Sequence, residues 1–270
     1  RMTKLFLLLG NPVSHSLSPC FWNKTFKKLG IDATYVALKV EEDDINVALH
    51  GIKALGVSGI NVTIPYKQAA AKVCSVLHGA ASVIGVVNTL KPGKNGFEGW
   101  NTDYCGLRSV LGGFAGFEKA LVIGSGASSQ TALQVLSEIK CKQAYQIARK
   151  YSDTICEKNN EMYLTKFAWN SKNFAYSVSE SDIIINTTPL GWKPEDDIPE
   201  LRTYLTPDKT YMDFNYSSCS NLIQAAAEKN CKVIDGLELL LRQGMESFKI
   251  FTGVCVPDNI MREALYSCVR

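Results

Sequence analysis

The chain has 270 residues, which suits two modest domains, since a domain usually takes about 100 to 200 residues. Hydrophobic residues make up 46% and charged residues 20%, a globular balance that excludes a disordered chain. The 29 basic and 26 acidic residues leave a charge of +3 with no block of one sign, so neither a nucleic acid nor a membrane partner is expected.

From the N-terminus, apolar runs alternate with amphipathic stretches: Leu5 to Leu9, Cys20 to Leu29, Tyr35 to Val40, Asp44 to Leu55, then Ile60 to Ile64. This alternation predicts β-α-β-α-β. Pro19 suits the first turn of the first helix, Asp43 or Asp44 can cap the second, and Gly56 can end it. A polar stretch from Lys91 to Gly99 reads as a hairpin, and a helical run follows Asp103 as far as Leu111. Leu111 to Glu118, with three glycines, is the predicted linker.

The rhythm then restarts with a strand at Ala120 to Ile123, a glycine turn and a helix through Ile139. Further strands are predicted at Tyr145 to Ile147, Asp182 to Asn186, Tyr211 to Phe214 and Lys232 to Ile234, with helices between them, so a parallel doubly wound sheet is expected. Leu237 to Phe251 and Asp258 to Val269 are helical patterns that can pack back on either domain.

Nine cysteines, an odd number without a Cys-x-x-Cys pair, predict reduced thiols and neither disulfides nor a metal site. A cytoplasmic location is expected. The run Leu5 to Leu9 is too short to span a bilayer, and Arg1 ahead of Met2 reads as an added residue or the edge of a longer chain.

Two features carry chemistry. The first is Gly124-Ser125-Gly126-Ala127-Ser128-Ser129 directly after a buried strand. Glycine at 124 permits a tight turn, glycine at 126 allows a pyrophosphate to approach, and the following helix presents its N-terminus. Ser129 replaces the third glycine of the usual fingerprint, so a plain structural turn is the alternative. Where an NAD enzyme places an acid after the second strand, this chain has Arg149 and Lys150, which suit a 2′-phosphate and favour NADP over NAD. A solvated basic strand end is the alternative for that pair.

The second feature is three polar clusters in the N-terminal half: Gly10-Asn-Pro-Val-Ser-His-Ser16-Leu-Ser18-Pro19, Asn61-Val-Thr63-Ile-Pro-Tyr-Lys67, and Val87-Asn88-Thr89 with Asn101-Thr-Asp103. Residues just past parallel strands collect at one sheet edge, where hydroxyls, amides, one ammonium and one carboxylate suit a polyhydroxylated acid. Taken singly, Lys67 reads as a surface lysine and Asp103 as a helix cap; together they can exchange a proton with a substrate hydroxyl.

These motifs, with Asn186-Thr-Thr188-Pro-Leu-Gly191 and Asp235-Gly-Leu-Glu-Leu-Leu-Leu-Arg-Gln243-Gly, stand in one order over nearly the whole chain. In that order they closely resemble the shikimate dehydrogenase family, whose members include quinate dehydrogenases. The resemblance implies an N-terminal α/β substrate domain, 1–103 with about 238–270, and a Rossmann-like doubly wound NADP-binding domain, 104–237, with the C-terminal helices packing back on the substrate domain. It implies reversible, NADPH-dependent reduction of 3-dehydroshikimate to shikimate, in aromatic amino acid biosynthesis. Lys67 and Asp103 match the catalytic lysine and its partner carboxylate, both also touching the ring hydroxyls. Ser16 and Ser18 match the pair that binds the substrate carboxylate; Thr63, Asn88 and Gln243 match hydroxyl-binding positions, and Tyr216 the tyrosine that reaches the substrate from the nucleotide domain. The turn from Gly124 to Ser128, Arg149, Lys150, Thr188, Phe214, Gly236 and Leu239 match the cofactor's surroundings. A monomer or homodimer is implied, and relatives in plants and some bacteria are fused behind a dehydroquinate dehydratase.

The chain departs from the family at Trp22 in place of histidine, at Ala127-Ser128-Ser129-Gln130 in the glycine turn, and at Ala148-Arg149-Lys150 where Asn-Arg-Thr is usual, with Asp153 where a second arginine often sits. These departures bear on cofactor choice more than on substrate. Paired serines at 16 and 18 favour shikimate over quinate, and a non-catalytic nucleotide-binding regulator is the rival from another class. Lys67 can take the hydroxyl proton during oxidation as an amine and return it during reduction as an ammonium held by Asp103, so the residues admit either direction of proton flow.

Overall fold

The structure, a computed structural model, describes residues 2–114, 116–216 and 220–269. Arg1, Cys219 and Ala115, the last inside the predicted linker, lie outside the described residues. The chain divides into two compact units, residues 1–106 with 241–270 and residues 107–240.

The first unit begins as its hydrophobic rhythm predicts: β1 (Lys4–Gly10), α1 (Ser18–Leu29), β2 (Ala33–Lys39), α2 (Ile45–Ala54) and β3 (Gly59–Val62). The chain continues through α3 (Lys67–Val73), β4 (Cys74–Leu77) and α4 (Ala80–Ile84) to the hairpin β5 (Thr89–Gly93) and β6 (Gly96–Trp100), then α5 (Thr102–Leu111). Its sheet has the order β2-β1-β3-β5-β6-β4. β1 pairs in parallel with β2 and β3, but β5 is antiparallel to both β3 and β6. This half of the sheet is therefore mixed, because a short hairpin can only join antiparallel strands.

On this unit's sheet lies an aromatic cluster. Trp22, 1% exposed, stacks on Tyr35 at 4.7 Å and lies 5.4 Å from Phe248 and 5.8 Å from Phe251. The tryptophan that departs from the family pattern is thus a core residue of α1. Phe248 and Phe251 belong to the C-terminal part of the chain, so burial of their rings draws that part onto this unit. Gly59 admits the contact, since a Cβ there would sit 2.5 Å from the Phe251 ring.

The second unit is built from β7 (Lys119–Ile123), α6 (Ala127–Glu138), β8 (Gln143–Ala148), β9 (Ile155–Asn159), β10 (Met162–Ala168), α7 (Ser171–Glu180), β11 (Ile183–Asn186), α8 (Pro199–Tyr204), β12 (Thr210–Asp213), α9 (Asn221–Glu228) and β13 (Lys232–Ile234). The strand order is β13-β12-β11-β7-β8-β10-β9, parallel except for β9 against β10. The expected doubly wound sheet is present, and the order reverses at β7, whose end carries the glycine turn. The β9–β10 hairpin was not expected from sequence. β9 is almost wholly exposed and so lacks an apolar run, and its turn is set by Asn160 in the left-handed region at φ 55°. Two helices close the chain, α10 (Gly236–Thr252), in which the division between units falls, and α11 (Asp258–Tyr266).

The cysteine reading needs correction. Cys20 in the first turn of α1 is bonded to Cys268 beyond α11, across 248 residues of sequence, while the other six described cysteines carry thiols. Lys28–Glu263 and Lys24–Ser267 contacts hold the same surfaces together. Only the docking of α11 on α1 makes the pair adjacent, so no spacing rule could have found it. Among the described residues no helix is long and apolar enough to cross a membrane.

Candidate active site

The first unit gathers the N-terminal clusters at one edge of its sheet. β1 and β3 end there side by side, with Leu9 opposite Val62. Asn88 precedes β5 rather than following a strand, yet it reaches the same edge because β5 runs the other way, Asn61 pairing with Thr89 and Thr89 with Trp100. Backbone bonds lace the edge: Thr63 N–H donates to Leu9 at 2.9 Å, Asn11 to Ile64 at 3.0 Å, and Asn88 to Trp100 at 3.1 Å.

Lys67 opens α3 and Asp103 lies in the first turn of α5, both 9% exposed. Lys67 Nζ donates to Asp103 Oδ2 at 2.5 Å. Two charges so far from water persist only as a pair. Neither is the surface lysine nor the plain cap that each resembles alone; the cap of α5 is Asn101, whose Oδ1 accepts the Tyr104 N–H at 3.0 Å. Ser18 is buried at the start of α1, and its N–H donates to Ser16 Oγ at 3.2 Å, which places both hydroxyls in one turn. Thr63 is half-buried just past β3, and Gln243 is half-buried on α10.

In the second unit, the turn after β7 has the form its sequence predicts. Gly124 has φ +117°, and a Cβ there would lie 2.6 Å from Thr187 Oγ1, so glycine is required by backbone and by space. At Gly126 the backbone is ordinary and a Cβ would meet nothing within 4 Å. No protein neighbour demands that glycine, and the room in front of α6 fits a pyrophosphate drawn close to the backbone. Ser129, in place of the third glycine, is buried; its hydroxyl donates to Gly126 O at 2.9 Å and accepts from Gln146 Nε2 at 3.1 Å. Gln146 also donates to Gly124 O at 2.9 Å and accepts from Tyr151 at 2.8 Å. This brace under the turn went unrecognised in the sequence, where Gln146 was one polar residue in a buried strand.

Arg149 and Lys150 are exposed just past β8. The Arg149 guanidinium lies over the Trp169 ring at 5.3 Å, and Lys150 Nζ approaches Ser125 O at 3.4 Å. Lys150 therefore stands beside the turn, while Arg149 rests on the ring that follows β10. Thr188 N–H and Oγ1 donate to Asn186 Oδ1 at 3.0 and 2.7 Å. Gly236 N–H donates to Asn215 O at 3.0 Å; a Cβ there would fall 2.5 Å from Phe214 O. Leu239 is buried, and Tyr216 stands edge-on to Trp192 at 4.9 Å.

Asp213, also missed in the sequence, ties these loops together. Its buried carboxylate accepts from Asn215 N–H at 2.8 Å, Tyr211 Oη at 2.9 Å and Asn186 Nδ2 at 3.2 Å, and Asn215 Nδ2 in turn donates to Thr188 O and Leu190 O. Burial pushes the Asp213 carboxyl up to about 6 from 3.8, outweighing those donors. A raised carboxyl binds a proton more tightly in the folded chain, so its contribution to stability is full below about pH 4 and lost as the pH rises through about 6. The gap of about two units corresponds to about 3 kcal/mol. Comparison of urea unfolding of the parent protein and Asp213→Asn from pH 4 to 7 should show the parent losing ground by about that amount; parallel curves would exclude the raised carboxyl.

Residues 8–90 match the model of the shikimate dehydrogenase substrate binding domain, and residues 236–266 that of the shikimate 5'-dehydrogenase C-terminal domain. The NADP(+) shikimate dehydrogenase of Methanococcus aeolicus is 36% identical over 97% of both chains. The chain belongs to the shikimate dehydrogenase family. Among solved structures, a shikimate dehydrogenase in complex with NADP+ superposes with a TM-score of 0.84 at 31% identity, over 99% of this chain and 96% of that one. The shikimate 5-dehydrogenase of Listeria monocytogenes, in complex with shikimate and NAD, gives 0.80 at 26% identity over 97% and 96%. The family resemblance read from the motifs and the fold it implied are both correct.

Proposed function

We propose that the chain is an NADP-dependent shikimate dehydrogenase that interconverts 3-dehydroshikimate and shikimate. The buried Lys67–Asp103 pair carries this reading, because it supplies a proton-handling group at the sheet edge where the family's polar clusters meet. Ser16 and Ser18 bind the substrate carboxylate, while Thr63, Asn88, Gln243 and Tyr216 bind the ring oxygens. During reduction the Lys67 ammonium gives its proton to the carbonyl oxygen, and during oxidation the amine takes it back; Asp103 holds the Nζ in place and touches a neighbouring hydroxyl. The nicotinamide, when bound, exchanges a hydride with the ring carbon. The chain's part is to orient that carbon and exclude water.

The turn from Gly124 to Ser128 takes the pyrophosphate, Arg149 and Lys150 the 2′-phosphate, and Thr188, Phe214, Gly236 and Leu239 the ribose and nicotinamide side. Arg149 and Lys150 directly after β8, where an NAD enzyme places an acid, support NADP over NAD. The first test is nicotinamide absorbance with shikimate or quinate, each against NADP+ and NAD+. Turnover is expected with shikimate and NADP+, and silence in all four mixtures from folded protein that still binds cofactor would favour a regulator. Arg149→Ala should weaken NADP+ binding in calorimetry by about tenfold to a hundredfold, the worth of a hydrogen bond to a charged group, with NAD+ binding little changed. An equal loss for both cofactors would remove Arg149 from 2′-phosphate recognition.

A further inference from the structure

Beneath the residues assigned to the substrate lies a second layer of polar side chains, closed off from water. Thr89, Thr102 and Ser247 are completely buried, and their hydroxyls form a triangle with sides of 2.9 Å from Ser247 to Thr89, 2.9 Å from Ser247 to Thr102 and 3.1 Å between the threonines. Asn61, 6% exposed, donates from Nδ2 to Thr89 Oγ1 at 2.9 Å, Ser247 Oγ at 3.1 Å and the Asn88 carbonyl at 3.1 Å. Its Oδ1 accepts from the Tyr35 hydroxyl at 2.9 Å. These groups come from β2, β3, β5, α5 and α10, so the network joins five elements of one unit. Buried polar groups of this number are tolerated only when satisfied, and once satisfied they hold their elements in a single arrangement.

Both ends of the network have a fixed polarity. The Thr102 N–H can only donate, and it meets the Asn88 side chain at 2.7 Å, so the facing atom is Oδ1. Thr102 Oγ1 and Thr89 Oγ1 also donate to that oxygen, each at 3.1 Å. Asn88 therefore offers a substrate its Nδ2, which donates and never accepts. At the other end the Asn88 backbone carbonyl can only accept, which turns the Asn61 amide so that its oxygen faces Tyr35.

We infer that Ser247 is a positioning residue of the active site, acting with Asn61, Thr89 and Thr102 and without touching substrate. It pins α10 to the first residue of α5 and to the start of β5. Gln243 lies one turn before it on α10, Asn88 directly precedes β5, and Asp103 directly follows Thr102, so one buried serine sets the spacing of three groups that read the substrate ring. Gly244 seats the same turn of α10 close to α1, where a Cβ would lie 3.1 Å from Phe21. The inference rests on the substrate roles proposed above for Gln243, Asn88 and Asp103.

The experiment is steady-state kinetics of full-length Ser247→Ala, with Thr102→Val and Thr102→Ser as a second pair that separates loss of the hydroxyl from a change in shape. Ser247→Ala should raise KM for shikimate about tenfold, the worth of one buried hydrogen bond, with kcat within about threefold of the parent. KM for NADP+ should be unchanged. Thr102→Val, which keeps the shape and loses the hydroxyl, should behave likewise, while Thr102→Ser should stay near the parent. In a Gln243→Ala background the Ser247→Ala substitution should lose part of its effect, because one of the three groups it positions is already gone. An active parent whose variants leave KM for shikimate unchanged, raise both KM values together, or keep their full effect in the Gln243→Ala background would overturn the positioning role. An inactive parent would overturn the substrate assignment itself.

Discussion

Lys67→Ala is expected to lower kcat by about a hundredfold to ten-thousandfold, the usual worth of a positioned general acid or base, while KM for shikimate changes only a few-fold. The Lys67 Nζ stands 2.5 Å from Asp103 Oδ2 in a site nearly closed to water, so no solvent molecule can take its place without reorganising the pair. Asp103→Asn should cost a comparable factor, because it leaves the ammonium without the charge that orients it. Both variants break a buried ion pair, and the group left behind is costly, about 3–5 kcal/mol in such cases. Circular dichroism and NADP+ binding should therefore accompany the kinetics. A Lys67→Ala, Asp103→Asn double variant should be no slower than the worse single variant, since the two act as one unit. Near-native kcat in folded Lys67→Ala would remove the lysine from proton transfer.

Loss of the Cys20–Cys268 bond is expected to produce the largest change in stability. A cross-link that spans 248 residues removes much of the unfolded chain's freedom, and such bonds are worth about 2–5 kcal/mol. Cys268→Ser, or addition of reductant to the parent, should move the guanidinium midpoint of the unit that carries both cysteines to lower concentration. Turnover at moderate temperature should fall far less, because Cys20 lies on α1 beyond Ser18 and the Lys24 and Lys28 contacts still hold α11 against that helix. Coincident unfolding curves with and without reductant would show that docking alone fixes the C-terminus.

Several parts of this outcome could be read directly from the chain. The alternation of apolar runs located β1, α1, β2, α2 and β3, because burial of one face imposes its period on sequence. Gly124 and the apolar strand before it marked the tight turn into α6, because few residues other than glycine accept that backbone. The β9–β10 hairpin escaped notice because an exposed edge strand has no apolar period to betray it. Ser129 looked like a defect in the fingerprint, yet its hydroxyl is part of the brace with Gln146 and Tyr151. Asp213 looked like the end of a strand, and its role follows only from the side chains that surround it.

The sequence by itself determined the family and the two β-α rhythms, since each depends on local chemistry written in consecutive residues. Tertiary structure alone decided that Lys67 and Asp103 share one buried pair, that the Asn88 side-chain oxygen is taken up by Thr102, that Ser247 bonds to Thr89 and Thr102, and that Cys20 meets Cys268. These are relations between residues far apart in the chain, and they exist only once hydrophobic burial has brought the elements together and buried polar groups have taken the partners left to them.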